Sequence, residues 1–318
     1  MKKVLLIATA LVILGAILFA IAMTGINWNF EELSTVKMQT KEYEFSEEFD
    51  DISIKSDTAD IVFVPSDDGK CKVVCYEETK MTHTVGIENG ALTVTAKNEK
   101  KLMDYIGISF SSPKITVYLP ASEYKELKIE NGTGDISLPG DFKFNAIDIK
   151  VSTGDVECMA SARDITRIKT STGNLNLASL DTGDLDLTVS SGKVNISDVE
   201  CNGDISLTVS TAKSKLTNVR SDSLTTVGNT GDIELCNVVV SKTLSVTRTT
   251  GDVKLKNLDA GEIKIVTNTG DVVGTLLSEK IFITKTSTGS VEVPRGTTGG
   301  VCEITTTTGD IEIDIKSE

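Results

Sequence analysis

Thr250-Gly251-Asp252-Val253-Lys254-Leu255 is one copy of the phrase that decides the fold. The same Thr-Gly-Asp-Ile/Val corner, or a near variant of it, places glycine at 134, 154, 173, 192, 231, 251, 270, 289 and 309, and Ala212 fills the one missing place, so that all spacings are 19 or 20. Self-similarity at a fixed short period marks a repeat architecture. Two and four residues after each corner the chain is apolar, as at Ile233 and Leu235 or Val253 and Leu255, with polar Glu234 and Lys254 between. Five and seven residues before it lie Val246 and Leu244, or Ile265 and Ile263. Alternation with period two predicts a half-buried strand on each side of the corner. Val253 and Leu255 are therefore expected to point inward and Lys254 outward.

A third apolar column falls seven after the corner, at Leu180, Val199, Val219, Val238, Leu258 and Leu277, followed by a second turn such as Asp259-Ala260-Gly261. Upstream, Thr58-Ala59-Asp60-Ile61-Val62-Phe63 repeats the phrase with alanine at the corner, and Ile52 and Ile54 keep its register. No single repeat has enough apolar surface to fold alone, and stacking buries each on the next. The expected fold is all-β: a β-solenoid, a parallel β-helix-like stack of coils of about 20 residues. Glycine at the corner permits positive φ, and the aspartate beside it is expected to accept a local backbone N–H.

The N-terminus is of another kind. Lys2 and Lys3 precede an uncharged apolar run from Val4 to Met23, with Trp28, the only tryptophan, beyond it. Twenty helical residues span about 30 Å, enough for a bilayer core. By the positive-inside rule the remainder lies outside. A cleaved signal peptide is the competing reading, because Ala20-Ile21-Ala22 fits a small-x-small site; both readings export the rest of the chain. The expected organisation is a transmembrane anchor or uncleaved signal at 1–26, a stalk or linker at 27–50, a divergent first coil with an irregular capping segment at 51–125, and regular solenoid repeats at 126–318. Within the irregular segment, strands are expected at Cys71–Tyr76, Ala91–Ala96 and Lys114–Leu119.

A net charge of −14 with no basic run argues against nucleic-acid binding. Aromatic residues, which form the platforms that stack on sugars, are only 5% of the chain. His83 is the only histidine, which reads as excluding a His-based triad or a two-His metal site within one chain and leaves His83 a strand or loop residue. Asp232, Asp252 and Asp271 fall on successive coils and form a column that caps turns or binds cations weakly. A repeated column gives every carboxylate nearly the same surroundings, whereas a catalytic pair needs unlike ones. No catalytic residue and no cofactor is expected. The six cysteines, Cys71, Cys75, Cys158, Cys201, Cys236 and Cys302, read mostly as packing residues; Cys71 and Cys75 are too far apart along one strand to bridge each other.

At its Ser/Asn-Thr-Gly-Asp-Ile/Val repeats, and at Ser112-Pro113-Lys114-Ile115-Thr116-Val117-Tyr118-Leu119-Pro120, the exported part resembles the bacterial toastrack, or "putative adhesin", β-strand-repeat family. The resemblance implies an envelope-associated, non-enzymatic protein linked to adhesion or to envelope stress, and it carries over no catalytic residues. The expected function is that of a non-catalytic cell-envelope rod, a single-pass membrane protein with its C-terminal part extracytoplasmic. Its expected partners are the membrane, through the N-terminal helix, and an envelope protein or wall polymer. The alternative is an enzyme acting on wall or extracellular polysaccharide.

Overall fold

The computed structural model describes residues 2–107 and 109–316, so Met1 of the expected anchor and the last two residues of the expected solenoid lie outside the described residues. Almost everything after residue 37 belongs to one continuous sheet wound into coils. Neighbouring coils pair in parallel and in register: Ile233 lies opposite Val253, and Val253 opposite Val272. Val246, Val253 and Leu255 are buried and Lys254 is exposed, as the alternation requires. Within the stack an inward aliphatic residue is covered by the equivalent residues of the coils on both sides, a burial of about 1.5–3 kcal/mol per side chain. The core is consequently one continuous column.

The corner glycines are needed twice over. Gly251 has φ 144°, and a Cβ placed there would stand 2.3 Å from the carbonyl oxygen of Gly231 in the coil beneath. Both the left-handed backbone and the close stacking exclude a side chain. A second corner is built differently: Asp198, Asn218, Asn237 and Asn257 hold φ between 53° and 55°, the left-handed region that Asn and Asp tolerate.

The coils do not stack wholly in chain order. The last one, Gly300–Thr308 with Ile311–Ile315, pairs directly with Val253–Thr269 and Val272–Leu276. The preceding one, Lys280–Lys285 with Val291–Glu292, pairs only on its outer side. In space the corner glycines therefore run 251, 270, 309, 289. This leaves Ile283 and Val291 exposed at the open end, although Val291 sits at an inward register position. One further column departs from expectation. Gly274 shortens its coil by a residue, so Leu276, not Leu277, pairs with Leu258 and is buried, while Leu277 is 43% exposed.

At the other end the coil Asp51–Thr58 and Asp60–Pro65 is not outermost. It lies between the coil of Glu123–Thr133 and a further parallel layer made by Ala91–Asn98 and Lys114–Leu119. Met81–Glu88 then pairs antiparallel with Ala91–Asn98, and Cys71–Glu78 with Lys114–Leu119. Met38–Phe45 closes that side antiparallel to Cys71–Glu78 along its whole length. Residues 38–45 are thus an edge strand of the sheet, not linker, and their Lys41, Glu42 and Glu44 put charge on the edge, which discourages strand addition. The N-terminal helix Lys2–Gly25 has no part in the core; its 24 residues are long and apolar enough for a membrane span or a signal sequence.

Candidate functional site

The aspartate column binds coils to each other, not each turn to itself. Oδ1 of Asp232 accepts the backbone N–H of Asp252 at 3.2 Å, and Oδ1 of Asp252 accepts that of Asp271 at 3.1 Å. The pattern passes on to Asp310 and then to Ser290, following the spatial order of coils. Asp60, Asp135 and Asp155 do the same at the other end. The second oxygen of Asp232 meets Lys213 at 3.2 Å and that of Asp252 meets Lys254 at 3.8 Å. Burial works against the charge of Asp232, yet the Asp252 amide and the Lys213 ammonium hold its carboxyl below the usual range. The three residues Asp232, Asp252 and Asp271 are therefore brought into one column, each serving as the backbone acceptor for its neighbour.

The second corner borders a concave surface. Its left-handed turn aims the side chains of Asp198, Asn218, Asn237 and Asn257 along one line. The Asn218 amide donates to Asp198 at 2.7 Å, Asn237 to Asn218 at 2.9 Å, and Asn257 to Asn237 at 2.9 Å. Each internal carboxamide uses one N–H and one oxygen lone pair in this ladder, leaving its second N–H and second lone pair for another partner. The ladder borders a groove of about 560 Å³ that is also lined by Glu200, Arg220, Val239 and Leu277. Sequence reading registered the apolar residue at the next position and passed over this column; the recurring Asn218, Asn237 and Asn257 were its visible signal.

His83 lies in the strand Met81–Glu88, as expected of it, and is buried there. The structure lines up Ser56, His83 and Glu77: Ser56 Oγ lies 3.1 Å from His83 Nε2, and His83 Nδ1 lies 3.0 Å from Glu77 Oε2. One histidine suffices for such a row, so the reading that a single histidine excludes a triad is corrected. All three are buried, with Ser56 only 4% exposed. Glu77 also accepts the backbone N–H of His83 at 2.6 Å, the Gln39 amide at 3.2 Å and the Lys41 ammonium at 3.1 Å. Cys75 Sγ lies within 4.8 Å of the ligand atoms of both His83 and Glu77. The imidazole nitrogens and both Glu77 oxygens already have protein partners, so the row is a satisfied polar knot between the antiparallel layer and the first coils. No disulfide forms among the six cysteines. Burial pushes the thiols of Cys71, Cys75, Cys158 and Cys302 up to about 12, which leaves them protonated and unreactive.

These features define a class first: an exposed parallel β-solenoid with hydrogen-bonded side-chain ladders at both corners, joined to an apolar N-terminal helix. The chain belongs to the Toastrack DUF4097 family, whose profile matches residues 49–208 and 200–318. Two crystal structures share the fold. A "putative lipid binding protein" from Parabacteroides distasonis is 17% identical with a TM-score of 0.50, covering 88% of this chain and 98% of that one. A "putative adhesin" from Parabacteroides merdae is 15% identical with a TM-score of 0.50, covering 87% and 96%. Among curated proteins none matches the chain.

Proposed function

We propose that the protein is a non-catalytic, envelope-associated interaction module. In this reading the helix Lys2–Gly25 holds it at the membrane as a single span, the solenoid stands on the extracytoplasmic side, and the groove along the second corner receives a linear, hydroxyl-rich polymer of the wall or surface. The observation that carries the reading is the Asp198–Asn218–Asn237–Asn257 ladder. It offers equivalent amide groups at the repeat of the coils, about 4.8 Å apart, which suits an extended partner with repeating polar groups. The rival reading, an enzyme acting on polysaccharide, calls for groups of unlike environment facing one cleft; the ladder that borders the groove is a repeated set.

The test is co-sedimentation of the purified full chain, in detergent, with isolated cell-wall material. Binding that falls several-fold in Glu200→Ala/Arg220→Ala, with no glycan fragments released, supports the reading. Fragment release lost on changing one or two carboxylates supports the enzyme. Wall binding that is indifferent to the groove variant removes the groove from the proposal.

A further inference from the structure

The inward column three residues before each corner shows what a polar side chain does in this interior. Thr267 donates to the carbonyl of Gly251, Thr306 to that of Gly270, Thr286 to that of Gly309, and Asn131 to that of Ala59. Each bonds the corner of the neighbouring coil. Arg248 stands in the same column and makes no such bond. It is 1% exposed, and among the described residues Nε, Nη1 and Nη2 all lack an acceptor.

The surrounding sequence departs from the repeat in a concerted way. Gly228 lies opposite Arg248 on the next coil, with Val209 beyond it. A Cβ at Gly228 would fall 2.2 Å from Arg248 Nη1 and 2.8 Å from the Val209 side chain, so the guanidinium reaches across the vacated position towards the coil of Ala212. On those same two coils, Thr226 and Ser214 replace aliphatic residues at inward positions, and both buried hydroxyls also lack partners. Thr170, further down the same column, and Ser221 also have orphaned hydroxyls, but among the described residues only here do orphaned donors accompany a buried cation. The column itself, Val189, Val209, Gly228, Thr267 and Thr306, contains no carboxylate.

We propose that Arg248 holds a small monovalent anion of the halide class inside the solenoid, with the hydroxyls of Thr226 and Ser214 as further donors. A buried charge is tolerated only when paired, and a donor set with no acceptor calls for an anion. Burial pulls the guanidinium down to about 10, which still leaves it protonated at neutral pH. The site lies in the core and is independent of the groove and of the function assigned to it.

The test is thermal unfolding of the full chain in detergent at constant ionic strength, in chloride, in bromide, and in gluconate, which is too large to enter. Binding to the folded state alone raises Tm in the halides by about 3 °C over gluconate. The Arg248→Val variant, which copies Val209, is expected to fold and to lose the difference. Equal Tm in chloride and gluconate for the unaltered chain overturns the proposal, as does a halide response that persists in Arg248→Val, which would belong to surface lysines. Should that variant fail to fold, crystals of the unaltered chain grown in bromide decide the matter: an anomalous peak beside Arg248 supports the site, and none there removes it.

Discussion

The backbone N–H of Asp310 donates to Oδ1 of Asp271 at 2.9 Å, across 39 residues of chain. The same contact elsewhere in the column joins residues 19 or 20 apart, as between Asp252 and Asp271 or between Asp232 and Asp252. The last coil in the chain is thus the penultimate one in space, inserted between its two predecessors.

A cysteine pair distinguishes this order from stacking in chain order. Val273 lies opposite Glu312, which in turn lies opposite Glu292. Val273→Cys/Glu312→Cys is expected to form a disulfide under mild oxidation. Val273→Cys/Glu292→Cys is expected not to, because one intervening coil, or two spacings of about 4.8 Å, puts these positions about 9.6 Å apart, beyond disulfide reach. Non-reducing electrophoresis after proteolysis between the sites reads the result, and the reverse pattern would restore chain order.

The corner column predicts an asymmetry between alanine and glycine. Gly251→Ala must relieve both a left-handed φ and the contact with the Gly231 carbonyl, neither of which a rigid stack can move. A loss of about 3 kcal/mol is expected. Ala212→Gly, at a corner where the chain itself has alanine, is expected to cost about 1 kcal/mol or less. Denaturant unfolding of the two variants compares them directly, and equal losses would mean that the corner has room for a side chain after all.

The Ser56–His83–Glu77 row is expected to be structural. A fluorophosphonate probe should leave the native protein unlabelled, since Ser56 is 4% exposed. Glu77→Ala removes the acceptor of two buried donors on His83 and is expected to destabilise by about 3 kcal/mol; Ser56→Ala should cost about 1 kcal/mol. Labelling that disappears in both Ser56→Ala and His83→Ala would instead make the row a working nucleophile.

Acid should loosen the terminal coil in a defined window. The Ser290 backbone N–H and then its hydroxyl hold the carboxyl of Asp310 below its ordinary 3.8. A group whose folded pKa is depressed adds stability that is present above the unfolded value and is lost as pH falls through the folded one. Asp310→Asn cannot titrate, so the gap in urea midpoint between it and the unaltered chain should be present near pH 6 and vanish near pH 2. A gap of constant size at both would assign the contact to geometry alone.

The repeat was legible because the corner phrase, the alternation and the spacing agree at Gly134 through Gly309. Val253, Leu255 and Lys254 stand where the alternation puts them. The order of the last coils was not legible, because Gly289 and Gly309 both follow a threonine and both precede aliphatic residues two and four places on, and local pattern cannot say which neighbour a coil chooses. Met38–Phe45 was hidden for a related reason: its strand character is expressed only against Cys71–Glu78, far along the chain. The aspartate column was found but misread as local, since spacing reveals periodicity and not the direction in which a carboxylate leans. The His83 knot joins residues from three strands and has no linear signature. Arg248 was visible as the one charged residue in an inward column, a signal that could have been taken.

The inserted final coil also bears on how the molecule is made. A chain growing from its N-terminus can add one turn to the stack after another as far as Gly270. The next segment to appear, Lys280–Glu292, meets the neighbour it has in the structure only when the residues after it have arrived and taken the place between. Completion is therefore not vectorial at this end. A chain extended through Ile315 places strands it synthesised later beneath Lys280–Glu292, so the neighbour of that segment in the stack does not yet exist when the segment emerges.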